Sequence, residues 1–239
     1  MKLIVLGSSS KGNGYLLTNG DETLIIEAGV SFKHVKKQLD FKLRSIQGAI
    51  VTHSHNDHSG FIKQYAQAGI DILAGPDVLS KHQIRGRALN GMALYHIGGF
   101  SVVSFPVEHD VPCYGFYINH PETGGILFVT DTYLCEYTFP GLNHLIVEAN
   151  YAEDIARRNL ETGVINRYVW NRLWFAHMEL ETTKGLILAN NRDKTVRDIT
   201  LIHLSDNNSD EKRFVREVSE LTGVPTYAAY TGFVLPLNI

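Results

Sequence analysis

Residues 52–60 of the chain, Thr-His-Ser-His-Asn-Asp-His-Ser-Gly, place four potential metal ligands within six positions. Because side chains alternate along an extended strand, His53, His55 and Asp57 would point the same way. His58 would turn toward a second position as a helix begins near Ser59. Imidazole and carboxylate groups suit Zn²⁺ and similar divalent ions. Three histidines and one aspartate rarely fall so close together by chance, so we interpret this stretch as part of a metal site rather than as a polar loop.

Three further ligand-type residues each follow an apolar run that is typical of a strand. They are His109 in Val-Glu-His-Asp, Asp131 in Phe-Val-Thr-Asp-Thr and His203 in Leu-Ile-His-Leu-Ser. A histidine or an aspartate at a strand end is common by itself. Their order behind the first cluster indicates that all of them serve one site.

The His-x-His-x-Asp-His pattern of residues 53–58 resembles the signature of the metallo-β-lactamase-fold hydrolases. The resemblance implies an α/β fold, the αββα four-layer sandwich of that family. It also implies two divalent metal ions, Zn²⁺ with Mn²⁺ as the alternative, which make a water reactive near neutral pH. The ligands it implies are His53, His55 and His109 on one ion, Asp57, His58 and His203 on the other, and Asp131 as the bridge.

Finer details resemble the phosphodiesterase branch of this family. The loop of residues 7–13 and the run His-Leu-Ser-Asp-Asn-Asn that starts at His203 resemble the YycJ/WalJ-type proteins. Glu148 and His177 resemble the carboxylate–histidine pair that is the general acid of the tRNA 3′-processing nucleases, so the candidate catalytic residues are Asp57, Glu148 and His177. The chain departs from the YycJ/WalJ-type pattern after His177, where Met-Glu-Leu-Glu follows. In a competing interpretation, His177 rather than His203 is the last metal ligand.

The chain is also similar to phage-encoded anti-Pycsar proteins, which are cyclic-nucleotide phosphodiesterases with the same core. We therefore expect a phosphodiesterase that converts small cyclic nucleotides, through their 3′,5′-cyclic phosphodiester, to nucleoside monophosphates. This activity would suit phage counter-defence. The alternative is a YycJ/WalJ-like or tRNA-processing-like nuclease that acts on DNA or RNA. A metal-binding protein without catalysis is a third alternative, which the complete ligand set disfavours.

The composition bounds these hypotheses. With 239 residues, 44% of them hydrophobic and 20% charged, the chain is expected to form a single domain over residues 1–239. A net charge of −3, with no basic run longer than two residues, disfavours extended nucleic acid and favours a small nucleotide as the partner. No apolar run of 18 residues exists, so no membrane partner is expected. Two cysteines form no disulfide framework, and we expect a cytoplasmic location, in the host if the protein is phage-encoded.

Strand patterns fall into two blocks, over about residues 2–52 and 100–148, and helical patterns accompany each block. This order predicts two packed sheets covered by helices. The last predicted helix, over about residues 210–221, ends at Gly223 and has one apolar face formed by Phe214, Val215, Val218 and Leu221. The histidines without a ligand partner in sequence are predicted to lie at the surface or in loops: His34, His82, His96, His120 and His144.

Two aromatic-rich stretches, Tyr133–Phe139 and Tyr168–Phe175, provide apolar surface that one chain of this size would not fully bury. The family resemblance implies a homodimer, and these stretches are its candidate interface. In the second stretch, an aromatic side chain that stacks on a base is a weaker hypothesis than packing in the core or at a subunit interface.

Overall fold

The computed structural model describes residues 1–239, which form fourteen strands and eight helices. The strands are β1 Lys2–Gly7, β2 Gly14–Thr18, β3 Thr23–Ile26, β4 Ile46–Val51, β5 Ile72–Ala74, β6 Arg87–Ala88, β7 Ala93–Ile97, β8 Phe100–Val107, β9 Cys113–His120, β10 Gly124–Val129, β11 Leu142–Glu148, β12 Asp198–Ile202, β13 Thr226–Ala228 and β14 Val234–Pro236. The helices are α1 Phe32–Gln38, α2 Asn56–Ser59, α3 Ile62–Gln67, α4 Pro76–His82, α5 Glu153–Glu161, α6 Arg167–Ala176, α7 Leu180–Ala189 and α8 Glu211–Thr222. None of the helices has the length and apolar character needed to cross a bilayer.

The strands form two seven-stranded sheets. The first has the order β14-β1-β2-β3-β4-β5-β6, and the second has the order β13-β12-β11-β10-β9-β8-β7. Strands β3 to β6 are parallel to one another, as are β10 to β13. Parallel neighbours end at the same edge of a sheet, so the loops that follow β3 and β4, and those that follow β10, β11 and β12, are close together.

Three apolar clusters hold four layers together. The first, with 21 buried residues, lies between the sheets and joins Leu3 of one sheet to Phe128 of the other. The second packs the outer face of the second sheet against α7 and α8, with Phe214 among its members. The third packs the outer face of the first sheet against α1, α3 and α4, with Tyr65 among its members. The αββα four-layer sandwich expected from the sequence is therefore confirmed.

The predicted surface position of two histidines is wrong. His144 on β11 is fully buried, and its Nδ1 lies 2.7 Å from Oδ2 of Asp198, its register partner on β12. His120 at the end of β9 is also buried, and its Nε2 lies 3.2 Å from Oε2 of Glu22. A carboxylate distant in sequence pairs with one ring nitrogen of each buried imidazole, which offsets part of the cost of burying it, while Nε2 of His144 has no hydrogen-bond partner.

Helix α8 follows its predicted pattern except at one position. It ends at Gly223, whose φ of 69° is left-handed, and its Phe214 and Val218 are buried. Leu221 was expected on the buried face but is 46% exposed, and it lines a surface groove with Lys184 and Leu188 of α7.

Gly29 lies so close to the loop that carries the predicted ligands that a side chain has no room there. A Cβ at this position would lie 1.6 Å from the carbonyl oxygen of Asp57, a backbone atom that Asn13 N–H also contacts at 2.7 Å. Replacement by alanine must therefore displace backbone, and we expect Gly29→Ala to destabilise the fold by about 1–3 kcal/mol or more in urea unfolding.

Gly185→Ala is the matched control for this substitution. Gly185 lies on the exposed face of α7, and a Cβ there has no neighbour within 4 Å. The same change should stabilise the protein by about 0.5–1 kcal/mol, because alanine has the higher helix propensity. Equal unfolding midpoints for wild-type and Gly29→Ala protein would contradict the prediction.

Candidate active site

The seven predicted ligands lie together at the edge where the parallel strands end. His53 and His55 follow β4, His109 follows β8, Asp131 follows β10 and His203 follows β12. Their ligand atoms form two groups in which all members lie within 4.8 Å of one another. The groups are His53, His55, His109 and Asp131, and then Asp57, His58, Asp131 and His203. These groups coincide with the two ligand sets expected from the sequence, and the role of each residue as a ligand stays a prediction.

The position of Asp57 differs from the extended conformation assumed for the sequence. Residues from Asn56 onward form the short helix α2, so the helix begins three residues earlier than Ser59. Asp57 therefore turns away from His53 and His55, and its Oδ2 lies 3.3 Å from Nε2 of His58. The helical turn places Asp57 and His58 in the same group, where strand alternation would have separated them.

Asp131 belongs to both groups. Its Oδ2 lies 3.8 Å from Nε2 of His53 and 3.3 Å from Nε2 of His58. The hydroxyl of Thr130 donates a 2.8 Å hydrogen bond to the other oxygen, Oδ1. One carboxylate oxygen thus faces both histidine groups at once, as a bridging ligand would.

The donor atoms fit divalent ions. Nδ1 of His55 and Nε2 of His109 are 3.3 Å apart. Two nitrogens that bind one tetrahedral Zn²⁺ at about 2.0–2.1 Å are about 3.3–3.4 Å apart. The Nε2 atoms of His53 and His203 are buried and have no hydrogen-bond partner, which is a costly arrangement unless a cation binds there.

Electrostatics differ between the two groups. Burial and the nearby His58 hold the pKa of His53 well below its usual value, so its ring is neutral and ready to bind a metal. Burial also disfavours a charged His58, but Asp131 and Glu27 outweigh that effect and hold its pKa well above the usual value. Burial opposes charge on Asp131 too, yet His203 and His58 keep its pKa well below the usual range. The buried carboxylates therefore attract positive charge, which either protons or metal ions can provide.

Glu27 is a site residue that the sequence analysis missed. It follows β3, is fully buried, and its Oε1 lies 3.2 Å from Nδ1 of His58. The Thr52 hydroxyl and the Thr52 N–H both donate to the same carboxylate. Glu27 thereby orients the His58 ring so that Nε2 faces Asp131, in the manner of carboxylates that support metal-binding histidines. The sequence pattern that indicated Asp131, an acidic residue after an apolar strand, is also present at Glu27.

Asn13 and Asn150 are two further residues that the analysis missed. The amide nitrogen Nδ2 of Asn13 lies 2.9 Å from Nε2 of His58, and that of Asn150 lies 3.2 Å from Nδ1 of His203. The Asn150 amide also donates to the His203 carbonyl at 2.8 Å. Both amides hold histidine rings in place. Only the tertiary fold brings them there, so no local pattern would have identified them.

Glu148 and His177 form the predicted pair. Nδ1 of His177 lies 2.8 Å from Oε1 of Glu148, and the backbone N–H groups of Thr132 and Met178 donate to Oε2 at 3.3 Å each. Burial tends to raise the pKa of Glu148, but His177 and His203 keep it below its usual value. The carboxylate is thus ionised and fixed, and His177 Nδ1 is engaged with it.

The competing interpretation, with His177 as the last metal ligand, also stays a prediction, because Asp131, Glu148, His177 and His203 form a third group whose ligand atoms lie within 4.8 Å of one another. The rings of His177 and His203 are stacked with centroids 5.3 Å apart. Nε2 of His203 lies 3.5 Å from Oδ2 of Asp57, inside the second ligand group. The Nδ1 atom of His177 faces Glu148, which leaves its Nε2 free either to donate a proton or to bind a metal.

A cavity of about 410 Å³ opens onto these groups. Its floor includes Asp57, Asp131, His177 and His203, which belong to the ligand groups and the Glu148–His177 pair. The walls come from three segments, the loop of Ser9 and Ser10, the residues Leu204–Asn208, and the residues Tyr168, Val169, Arg172 and Leu173 of α6. The volume is within the range of small-ligand pockets, about 300–1,000 Å³.

Comparison with known proteins places the chain in a family. Residues 10–132 match the family model described as the metallo-beta-lactamase superfamily, and the chain belongs to this superfamily. Its fold and donor groups are those of a metal-dependent hydrolase that uses divalent ions.

One curated relative is of the YycJ/WalJ type that the motifs resemble, and solved structures share the fold. The chain is 26% identical over 224 residues to "Exodeoxyribonuclease YycJ" of Bacillus anthracis, covering 87% of this chain and 84% of that protein. Among solved structures, the metallo-beta-lactamase fold protein YhfI from Bacillus subtilis superposes with a TM-score of 0.74 at 18% identity, covering 98% of both chains. The short form of human tRNase Z superposes with a TM-score of 0.65 at 15% identity, covering all of both chains.

Asp131→Ala tests the bridging position. Because Asp131 faces both histidine groups, we expect the purified variant to keep its fold but to lose at least one of two bound ions. Metal content measured by inductively coupled plasma mass spectrometry, with circular dichroism as the test of folding, checks this expectation. Asp193→Ala, at an exposed carboxylate outside the site, should keep both ions. Two tightly bound ions in Asp131→Ala would contradict the bridging assignment.

Proposed function

We propose that the protein is a phosphodiesterase that hydrolyses small cyclic nucleotides, opening a 3′,5′-cyclic phosphodiester to a nucleoside monophosphate. The observation that carries this proposal is the Glu148–His177 pair beside two overlapping metal-ligand groups. A phosphodiester has a poor leaving group, an alkoxide, which needs a proton as it departs. Hydrolysis of a thioester has less need for such a donor, because a thiolate is a much better leaving group than an alkoxide. Removal of a cyclic-nucleotide signal would be the phage counter-defence role that the sequence resemblance implies.

The residues of the chain have separate tasks in this reaction. Divalent ions in a paired site supply electrophilic stabilisation of phosphoryl oxygens and a water of lowered pKa. Glu148 accepts the Nδ1 proton of His177, which fixes the tautomer and stabilises the imidazolium. The opposite nitrogen, Nε2, is then the proton donor to the leaving ribose oxygen, and His177 lines the cavity from which the substrate would receive it.

The metal ions are proposed to be Zn²⁺, with Mn²⁺ as the alternative. The two groups contain five histidines and two aspartates. Imidazole-rich sets suit Zn²⁺, while carboxylate-rich and water-rich sets suit Mn²⁺ and Mg²⁺.

The cavity favours a small nucleotide over extended nucleic acid. Arg172 is the one lysine or arginine among the residues that line it. Proteins that bind long nucleic acids use several Lys or Arg contacts to successive phosphates. The net charge of −3 also disfavours binding of a long polyanion.

A nuclease is the second candidate function, and one observation favours it. The relative from Bacillus anthracis that is named an exodeoxyribonuclease aligns with 84% of its own length. An exonuclease that accepts a single DNA end would place one phosphodiester over the ligand groups, as a cyclic nucleotide would.

A substrate panel tests the proposal. Zn²⁺-loaded and Mn²⁺-loaded protein is incubated with 3′,5′-cyclic mononucleotides, cyclic dinucleotides, single-stranded DNA and a tRNA precursor, and products are separated by chromatography. We expect nucleoside monophosphates from the cyclic mononucleotides at the highest kcat/KM. Faster release of mononucleotides from DNA would favour the nuclease, and no hydrolysis of any phosphodiester would overturn both.

His177→Ala tests the proton relay. The variant should retain both ions, while kcat for the preferred nucleotide falls by about 10²–10⁴-fold, the usual contribution of a general acid. The loss should shrink for a p-nitrophenyl phosphodiester, because p-nitrophenolate leaves without a proton. Glu148→Gln should show the same pattern more weakly, since Glu148 acts through the imidazole.

The control for this prediction is His34→Ala, which removes an exposed histidine of α1. It should leave kcat unchanged for both kinds of substrate. Loss of a metal ion in His177→Ala, with equal damage to both substrates, would instead support His177 as a metal ligand.

The homodimer also remains a proposal. Within the stretch Tyr168–Phe175, Phe175 is 68% exposed and Trp174 is 39% exposed, and neither lines the cavity. The other candidate stretch is partly used inside the chain, because Tyr137 and Phe139 pack against the second cluster. Light scattering should give about twice the 26.7 kDa chain mass, and Phe175→Ser should shift the mass toward one chain. A mass of one chain for the wild type across a wide concentration range would contradict the dimer.

A further inference from the structure

The wall of the cavity that α6 provides carries an aromatic ring and a cation side by side. Tyr168, Val169, Arg172 and Leu173 line the cavity, and α6 ends at Ala176, directly before His177. Tyr168 and Arg172 are four residues apart, so they are neighbours on one helix face. Their backbones are separated by about 6 Å along the axis, which is comparable to the span from phosphate to base in one nucleotide.

Arg172 has no partner within the protein. It forms neither a hydrogen bond nor an ion pair, although it lines a cavity that contains several carboxylates. Asp206, an exposed acidic residue that also lines the cavity, is already paired, since its Oδ2 lies 3.0 Å from Nζ of Lys11. The planar guanidinium of Arg172 is therefore free to bind phosphate oxygens in a forked geometry.

Tyr168 also has no partner. Its side chain is 76% exposed, the largest exposed fraction among the large apolar side chains of the protein. The neighbouring indoles of Trp170 and Trp174 pair with each other at 5.7 Å, and Tyr168 takes part in no such ring contact. An aromatic ring that lines a cavity without a neighbour is available to stack on a flat ligand. Stacking of one base on an aromatic side chain contributes about 1–3 kcal/mol.

We propose that Tyr168 and Arg172 form a nucleotide-positioning subsite, in which the tyrosine ring stacks on the nucleobase and the guanidinium binds oxygens of the phosphate. This inference rests on the proposed function, and it narrows the substrate class to phosphodiesters that carry a base next to the reacting phosphate. The lining of the cavity also includes uncharged hydrogen-bonding groups that suit the ribose and the edge of a base: Ser9, Ser10, Ser205, Asn207 and Asn208. Because one rigid helix leads from this subsite to His177, binding of the base would also set the position of the leaving oxygen.

Two chromogenic esters with the same leaving group test the subsite. The p-nitrophenyl ester of thymidine 5′-monophosphate carries a base, whereas methyl p-nitrophenyl phosphate does not. The measured quantity is the ratio of kcat/KM for the two esters in metal-loaded protein. We expect Tyr168→Ala to reduce this ratio about tenfold, through KM rather than kcat, and Tyr168→Phe to restore it, because phenylalanine retains the stacking surface. Arg172→Gln should lower kcat/KM for both esters by a similar factor, so that their ratio stays near the wild-type value.

Matched controls come from the same residue types outside the cavity. Tyr230→Ala removes a tyrosine that is 61% exposed, and Arg167→Gln removes an arginine at the start of α6. Neither residue lines the cavity, and both variants should keep the wild-type ratio.

Direct binding separates this inference from the proposed function. Isothermal titration calorimetry of metal-loaded protein with adenosine 5′-monophosphate and with methyl phosphate needs no turnover. We expect adenosine 5′-monophosphate to bind more tightly than methyl phosphate. Tyr168→Ala should reduce the ratio of the two dissociation constants about tenfold. If neither ester is hydrolysed but this base-dependent binding persists, the proposed function fails and the subsite stands. Equal binding of the two ligands by the wild type, or an unchanged preference in Tyr168→Ala, would overturn the subsite.

Discussion

The carboxylate of Asp131 is 2% exposed and lies between two groups of histidines, and the arrangement of the site follows from this buried charge. A buried carboxylate without compensation costs several kcal/mol. Positive charge must therefore lie on both sides of it, and the unpartnered nitrogens of His53 and His203 indicate that protons alone do not satisfy the site. Two divalent ions would satisfy these atoms together. On this account the buried charge, rather than any single histidine, is what requires a paired metal site.

The backbone at the strand ends holds these groups in place at an energetic cost. Glu27, Asp131 and His203 each lie one or two residues after the end of a strand. Their φ values are 70°, 48° and 54°. A left-handed conformation costs about 1–2 kcal/mol for a residue other than glycine. Such strain persists only where the surrounding structure determines it, and here the strands are fixed by the core between the sheets. The three residues carry carboxylate or imidazole groups that all point into one site.

The apolar strand patterns of the sequence predicted two packed sheets covered by helices, and the family resemblance of the ligand motif implied the two metal-ligand groups. Tertiary contacts decided the rest. The short helix that begins at Asn56 replaces the extended conformation expected for Asp57, and the burial of His144 depends on Asp198 across two parallel strands. Short strands such as β5 and β13 have three residues each, too few for a period of two to stand out. The position of Arg172 at the cavity depends on how α6 packs in the fold, which the local sequence does not indicate.

The paired metal site is tested most directly by anomalous diffraction at the zinc edge from crystals grown with Zn²⁺. The account predicts two peaks about 3.5–4 Å apart, with Asp131 between them. One peak should lie about 2.0–2.1 Å from nitrogens of His53, His55 and His109, and the other at that distance from His58 and His203. A single peak, or a bond from either ion to a ring nitrogen of His177, would contradict it.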